Sequence, residues 1–224
     1  MKTKQLIALL AISMLLFSNC KKGKNDPFLS LKSRKARISN EWKVSEWNVV
    51  VNQKDMNPGA IHATSSLERS ISDGLFRQKA TGNWGNADEN GTVNSAVWKI
   101  EKDNKWSKTL SFTSTLNSVT TTTTLKSSGT WYFLGKIDEY KNKERVAFNT
   151  LASTETKFES YANGTSNNSE FVSTLNDGDL IDVFTITQLK SKETIFEREA
   201  MHKKTSQAIN TETEIVEKYK LIKA

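Results

Sequence analysis

Most of the chain after Glu41 alternates between apolar and polar residues with a period of two, which is the pattern of β-strands that have one buried face. In the first stretch Trp42 and Val44 alternate with Lys43 and Ser45. Similar stretches follow at 93–101, 105–116, 130–137, 145–151, 154–161, 180–189, 193–201 and 212–222. The pattern predicts about nine or ten strands.

Residues that favour turns stand between these stretches. They are Asp103-Asn104, Ser128-Gly129, Asn163-Gly164 and the Asn-Asp-Gly sequence at 176–178. Asn, Asp and Gly tolerate the positive φ angles of tight hairpins. Strands joined by short connections form an antiparallel meander, so the chain is expected to be all-β, with an up-and-down barrel of about 8–10 strands or, alternatively, a β-sandwich. The absence of alternating helices and strands excludes Rossmann and TIM-barrel folds.

The five consecutive threonines at 120–124 interrupt the alternation. Threonine favours extended backbone but supplies no apolar face, so this segment is expected to be an exposed or rim strand rather than a core strand.

The longer interruption is the segment 55–92, which is too long for a hairpin turn. Apolar residues recur in it every three or four positions, and Ser65 precedes Glu68 as in a helical capping box. This spacing predicts a short amphipathic helix across one end of the barrel. A disordered or strand-containing loop is the alternative. The apolar positions are Ala60, Ala63, Leu67, Ile71 and Leu75.

The first twenty residues have the organisation of a secretory signal peptide. Lys2 and Lys4 precede an almost continuous apolar run at 6–17, and the run is followed by Ser18, Asn19 and Cys20. About 20 apolar residues are needed to span a bilayer as a helix, so this run is too short for a membrane anchor of its own. Residues 1–19 are therefore expected to be a cleaved signal peptide.

The sequence Leu16-Phe17-Ser18-Asn19-Cys20, which ends on the only cysteine, resembles the lipobox of bacterial lipoproteins. Phe17 and Asn19 depart from the strict pattern in a way that resembles lipoproteins of Bacteroidota. The resemblance implies a diacylglycerol on the Cys20 sulfur and a further acyl chain, such as palmitate, on its amino group. Two acyl chains suffice for stable anchoring.

The net charge of +7 would ordinarily suggest a polyanionic partner, but its position in the sequence argues otherwise. Nine of the 32 basic residues and one of the 25 acidic residues lie before Ile38. The segment 20–37 is therefore interpreted as a lipidated, flexible tether. Residues 38–224 have a net charge of about −1, so nucleic-acid binding is not expected.

Three segments together resemble the lipocalin-like lipoproteins of Bacteroidota. They are Asn40-Glu41-Trp42-Lys43-Val44, the Gly-x-Trp sequence Gly129-Thr130-Trp131, and the hairpin at 182–196, which contains the "I-x-x-L" residues Ile186 and Leu189. The resemblance spans roughly residues 41–222. It implies an up-and-down barrel at 38–224 with a central cavity, a small apolar ligand and no catalytic residues.

The six tryptophans supply the candidate ligand contacts. Trp42, Trp98 and Trp131 are expected to pack in the core, because a small barrel fills its interior with large side chains. Trp84, between Asn83 and Gly85 in the long interruption, is the candidate contact residue at the barrel mouth. Trp84 and Trp98 are the candidate ligand-binding residues.

No constellation of catalytic or metal-ligating residues stands out. His62 and His202 belong to no metal-binding pattern, and Glu197 with Glu199 is interpreted as part of a solvated strand face. The segment 86–91 has oxygen-bearing side chains like a calcium loop, but position 12 of that loop would be Val97, so a polar turn is favoured. The segment 176–179 is interpreted as a hairpin turn. No enzyme activity, metal or cofactor is expected.

These observations predict a non-enzymatic lipoprotein of the cell envelope, anchored to the outer membrane through Cys20 and binding a small hydrophobic molecule. The basic residues Lys21, Lys22 and Lys24 favour the periplasmic face over the cell surface. The alternative is a β-sandwich subunit of a surface assembly that recognises a partner or a carbohydrate.

Overall fold

A computed structural model describes residues 33–56, 64–135, 144–205 and 210–224. These residues form one short α-helix, eleven β-strands and a single 3-10 turn at Gly82–Trp84. The helix is α1 (Arg34–Ile38), and the strands are β1 (Glu41–Asp55), β2 (Thr64–Ser72), β3 (Leu75–Thr81), β4 (Ala87–Ile100), β5 (Lys105–Leu116), β6 (Val119–Phe133), β7 (Glu144–Tyr161), β8 (Ser166–Thr174), β9 (Ile181–Leu189), β10 (Glu193–Thr205) and β11 (Asn210–Lys223).

Ten of the strands form a closed antiparallel barrel. The order around the barrel is β1-β2-β3-β4-β5-β6-β7-β9-β10-β11, and β11 returns to pair with β1. The β6–β7 ladder, which runs from Val119 opposite Tyr161 to Phe133 opposite Val146, closes the ring. Strand β8 lies outside the ring and pairs with β7. The predicted barrel of about 8–10 strands is confirmed, and the β-sandwich alternative is wrong.

The ring is narrower at one end than at the other. At the end where β1 begins, here called the lower end, residues 41–43 of β1 pair directly with residues 97–99 of β4. The β2–β3 hairpin separates β1 from β4 only beyond this point, from the pair Glu46–Ser72 upward. Because barrel diameter grows with strand number, inserting two strands widens the upper end.

Helix α1 closes the lower end. Ile38 is fully buried, and its carbonyl oxygen accepts a hydrogen bond of 2.8 Å from the Nε1 of Trp42. The guanidinium of Arg37 donates to the carbonyl oxygen of Leu189 at 2.8 Å. Arg34–Ile38 is thus part of the folded domain, so the predicted tether, drawn as residues 20–37, was too long at its end.

Aromatic side chains fill the interior above α1. The ring of Trp98 lies at the centre of this cluster, and the expected core packing of Trp42, Trp98 and Trp131 is confirmed, since each is at most 1% exposed. Tilted and edge-to-face contacts of this kind stabilise a core beyond the area that they bury. The centroids nearest to Trp98 belong to Phe148 (4.8 Å), Tyr219 (4.9 Å), Phe196 (5.5 Å), Phe184 (6.0 Å) and Trp106 (6.0 Å).

The helix predicted between residues 55 and 92 is wrong. The described residues of this segment form β2, β3 and the start of β4. Residues 57–63 are the only ones in the segment that the structure does not describe. The turn between β2 and β3 is Asp73-Gly74, with φ angles of 53° and 76°. Two successive positive φ angles define a two-residue hairpin whose twist matches that of the strands. The Asp-Gly pair was the overlooked signal in the sequence.

The threonine run belongs to a full-length barrel strand rather than to a rim strand. Thr121 and Thr123 line the interior, whereas the intervening threonines lie on the outer face. The outer hydroxyls form hydrogen bonds of 2.9–3.1 Å across to β5, in the pairs Ser111–Thr124, Thr113–Thr122 and Thr115–Thr120.

The dipeptide Ser128-Gly129, predicted to form a turn, instead lies inside β6 at a register shift against β7. A Cβ atom added to Gly129 would overlap the carbonyl oxygen of Asn149. The same oxygen accepts a 3.1 Å hydrogen bond from the Nε1 of Trp106. Gly129 is therefore required by the close approach of two strands and not by a turn.

The substitution Gly129→Ala is expected to lower the free energy of unfolding by about 1–3 kcal/mol, because the backbone of β6 or β7 must shift to relieve the overlap. Urea unfolding followed by tryptophan fluorescence measures the change. Gly135→Ala is the matched control, since nothing lies within 4 Å of an added Cβ there. Its effect should stay within about 0.5 kcal/mol. Equal effects of the two substitutions would contradict the close-approach explanation.

Candidate ligand-binding site

The upper half of the barrel contains a cavity of about 480 Å³. Its walls are the inward-facing positions of β2 to β7, so it lies where the β2–β3 hairpin widens the ring. A cavity of this volume is in the range that holds small organic ligands. The widened end of the barrel is therefore the candidate site.

One wall of the cavity, formed by the β5–β6 hairpin, is partly apolar. The hairpin contributes the apolar side chains of Phe112, Leu116, Val119 and Leu125, between which the polar side chains of Ser114, Thr121 and Thr123 also line the cavity. Phe112 stacks on Phe76 of β3 at 3.7 Å between ring centroids, which holds its ring against the wall. This wall can bury the hydrocarbon part of a ligand.

The opposite wall is polar and charged. Arg69 of β2 donates a 2.6 Å hydrogen bond from Nε to Oε1 of Gln78 on β3. Burial lowers the pKa of Arg69, and the carboxylates of Glu155 and Glu89, which also line the cavity, oppose this change. Arg69 thus presents a positive charge between two negative groups on other strands.

A second polar group lies on β7. Lys157 and Glu159 form an ion pair of 2.7 Å, and the hydroxyl of Tyr161 donates to Glu159 at 2.8 Å. The hydrogen bond from Lys157 lowers the pKa of Glu159, so this carboxylate stays ionised. With both walls together, the cavity suits a ligand that has apolar and polar parts.

Charged side chains also lie deeper in the barrel, where they form what we call the interior charge cluster: Lys108, Asp182, Arg198, Glu217 and Tyr219. Arg198 of β10 bonds to Asp182 of β9 and, at 2.7 Å, to Glu217 of β11. The second carboxylate oxygen of Glu217 accepts a 3.0 Å hydrogen bond from the Nε1 of Trp47. Both carboxylates are therefore engaged by Arg198.

Lys108 of β5 completes the interior charge cluster. Its ammonium donates to the hydroxyl of Tyr219 at 3.1 Å and lies 5.2 Å from the ring centroids of Trp98 and Tyr219. Burial lowers the pKa of Lys108, whereas the more distant carboxylates of Glu217 and Asp182 raise it. Burial also raises the pKa of Tyr219 well above its ordinary value, so the phenol stays protonated.

The two predicted contact tryptophans lie in different surroundings. Trp84 is in the 3-10 turn between β3 and β4 at the upper end, with 36% of its surface exposed. Trp98 is 1% exposed within the aromatic cluster and does not line the 480 Å³ cavity. The structure does not bring these residues together. It brings together instead polar residues of β2, β3, β4 and β7 that the hydrophobic pattern did not single out.

The remaining sequence-predicted positions are exposed, structural or outside the described residues. Cys20 and His62 lie outside them. His202 is exposed, and Glu197 forms an ion pair of 2.8 Å with Lys218 on a solvated strand face. The segment at 87–91, predicted to be a polar turn, instead belongs to β4. The segment 176–179 is a turn, in which the amide of Asp179 donates to the carbonyl oxygen of Asn176, but it is not the predicted hairpin turn, because the strands that it joins, β8 and β9, both pair with β7 and not with each other.

Two further properties of the described residues bear on the site. They contain no group of three or more His, Cys, Asp or Glu side chains arranged to hold a metal ion. No helix within them has the length and apolar character needed to cross a membrane.

Comparison with protein-family models, with curated proteins and with solved structures finds no match to this chain. The class of the protein is accordingly defined by its own geometry, as an antiparallel β-barrel that is filled at one end and contains a cavity at the other.

The substitution Arg198→Met is expected to destabilise the barrel by about 3 kcal/mol, because it leaves the buried carboxylate of Glu217 without its cation. Glu217 has only 8% of its side chain exposed. Lys203→Met on the same strand is the control, since Lys203 forms a 3.0 Å ion pair with Glu212 but is 71% exposed. The control should cost less than about 1 kcal/mol in urea unfolding. Similar losses would show that Arg198 is not a buried ion-pair centre.

Proposed function

We propose that this protein is a non-enzymatic, lipid-anchored lipoprotein of the cell envelope that binds a small amphipathic molecule in the upper half of its barrel. The observation that carries the binding proposal is the cavity of about 480 Å³ with one partly apolar wall and charged side chains on its other strands. The sequence at 16–20 supports the lipid anchor, and the absence of a recognisable catalytic motif from the sequence supports a binding role.

The cavity narrows the ligand class that the sequence predicts. A wholly hydrophobic ligand would displace water from Arg69, Glu89 and Glu155 without supplying hydrogen bonds, which is costly for charged groups. An amphipathic ligand avoids this cost, because it can place its hydrocarbon part against Phe112 and Leu125 and its polar part against the charged wall. The proposed ligand is therefore amphipathic rather than purely apolar.

The proposed location is the periplasmic face of the outer membrane, where lipid on Cys20 would hold the barrel close to the bilayer.

A contact role at the surface of the barrel is a second candidate function, favoured by one observation. Trp84 is exposed on the upper end, beside Asn83, whose backbone amide is held by a 2.8 Å hydrogen bond to Ser65. An exposed aromatic residue on a fixed turn can stack on a sugar ring or on a partner side chain.

The substitution Thr123→Trp is expected to fill the cavity and to weaken binding of the uncharged probe N-phenylnaphthylamine at least tenfold, roughly 1.4 kcal/mol. Thr123 faces the cavity from β6, and fluorescence titration measures the affinity. Thr120→Trp is the matched control, since Thr120 lies on the outer face of the same strand. If both variants bind as the unsubstituted protein does, the probe binds elsewhere and the cavity proposal fails.

The substitution Cys20→Ala tests the anchor. In the proposed lipoprotein the sulfur of Cys20 carries the diacylglycerol, so the variant should leave the membrane fraction and lose the mass of its acyl chains. Fractionation of cells and mass spectrometry of the intact protein measure both effects. Ser18→Ala is the control that keeps the cysteine. A Cys20→Ala protein that still pellets with membranes would overturn the anchor.

A further inference from the structure

Five charged side chains of the described residues line the cavity of about 480 Å³, and three of them belong to no ion pair. Lys157 and Glu159 neutralise each other at 2.7 Å. The other three are Arg69, Glu89 and Glu155, and none of the residues that the structure describes forms an ion pair with them within 4.0 Å. The cavity therefore presents one positive and two negative charges that have no direct partner.

The side chain of Arg69 is fixed by one hydrogen bond and keeps two further nitrogen atoms for a ligand. Its Nε donates at 2.6 Å to Oε1 of Gln78, the residue directly opposite on β3. No described residue accepts a hydrogen bond from either terminal nitrogen of this guanidinium. A planar guanidinium matches the paired oxygens of a carboxylate or a phosphate. Arg69 can therefore bind an anionic group at the wall of the cavity.

The two carboxylates without ion pairs supply the opposite charge. Arg69, Gln78 and Glu89 are directly opposite one another on β2, β3 and β4, so they form one row across the cavity wall. Neighbouring strands are about 4.8 Å apart, which places the Cα atoms of Arg69 and Glu89 roughly 10 Å apart. The hydroxyl of Ser114 is 3.5 Å from Oε2 of Glu89, at the limit of a hydrogen bond. The carboxylate of Glu155 on β7 has no hydrogen bond to a described residue and can accept from an ammonium.

This mixture of charges discriminates between ligand heads. An anionic head would be attracted by Arg69 but repelled by Glu89 and Glu155, and a cationic head would meet the reverse. Both repulsions are larger here than in water, because burial lowers the pKa of Arg69, and the two carboxylates oppose this change. Glu155 has the larger effect of the two carboxylates, so one head can reach both Glu155 and Arg69. A head that carries both signs avoids both repulsions.

From this arrangement we propose that the cavity binds an amphiphile with a zwitterionic head, whose anionic oxygens bind Arg69 and whose ammonium binds Glu155. The proposal rests on the proposed function and adds the charge of the ligand head. The anionic group is a carboxylate or a phosphate, since both match the guanidinium. The hydrocarbon chain lies against the apolar side chains of the β5–β6 hairpin, among them Phe112 and Leu125. No covalent step is involved.

The test uses five compounds that share a hydrocarbon chain and differ in the head. The zwitterions are α-aminododecanoate and dodecyl phosphoethanolamine, and the others are dodecylamine, dodecanoate and dodecanol. Displacement of N-phenylnaphthylamine from the purified protein at neutral pH, below micelle-forming concentrations, measures each affinity. At least one zwitterion should bind about tenfold or more tightly than the amine, the acid and the alcohol, as hydrogen bonds to charged groups predict. The tighter of the two zwitterions distinguishes a carboxylate from a phosphate in the head.

Two substitutions should change the head preference in opposite directions. Arg69→Met should weaken binding of the tighter zwitterion about tenfold but leave dodecylamine binding unchanged or tighter, because the amine loses a repulsion. Glu155→Gln should weaken the same zwitterion similarly but leave dodecanoate binding unchanged or tighter. Arg77→Met and Glu68→Gln are the matched controls, since both residues are exposed on the outer face of the β2–β3 hairpin, and both should keep the zwitterion preference. An equal loss for all five compounds would show a structural role and overturn the contact that the substitution removes.

The outcomes separate the two proposals, and the unsubstituted protein tests the head preference even if a variant fails to fold. If N-phenylnaphthylamine binds but neither zwitterion binds more tightly than the amine, the acid and the alcohol, the zwitterionic head is overturned while the cavity proposal stands. If neither N-phenylnaphthylamine nor any of the five compounds binds, the proposed function itself fails.

Discussion

The direct pairing of β1 with β4 at the lower end is the constraint on which the rest of the structure depends. It excludes the β2–β3 hairpin from that end, so the ring is narrow there and its interior is filled by large side chains around Trp98. Above Glu46 the hairpin becomes part of the ring. The interior there is wider than the inward-facing side chains can fill, and the cavity forms. A packed core and a binding chamber thus follow from a change in strand number within one barrel.

The same change in strand number explains how much of the fold could be predicted. Strands that surround the filled end must bury apolar residues, so their alternation is visible in the sequence, as at Trp42 and Val44. Strands around the cavity can face inward with polar residues, and β2 does so with Ser65 and Arg69. The alternation is lost there, and the remaining apolar residues, Leu67 and Ile71, happen to be four apart. Strand β8 escaped prediction because its side chains are almost all exposed.

The candidate site was less predictable than the fold, because its residues come from strands that are separated in the sequence. Arg69, Glu89 and Glu155 line one cavity only because β2, β4 and β7, on which they lie, face the same interior. The barrel could be expected from local patterns, but the register between strands decides which charges meet. Trp84 could be placed near an end of the barrel because Gly and Asn flank it, whereas the polar lining at Glu89 and Glu155 carries no local signature.

The position of helix α1 at the filled end also distinguishes the two ends of the barrel. The first residue that the structure describes, Ser33, precedes α1 at the filled end, where Arg37 donates to the carbonyl oxygen of the last residue of β9. A lipid on Cys20 would draw this end towards the bilayer, and the open chamber would then face the aqueous side. A ligand would in that case arrive from solution or from a soluble carrier rather than by lateral diffusion out of the membrane that holds the protein.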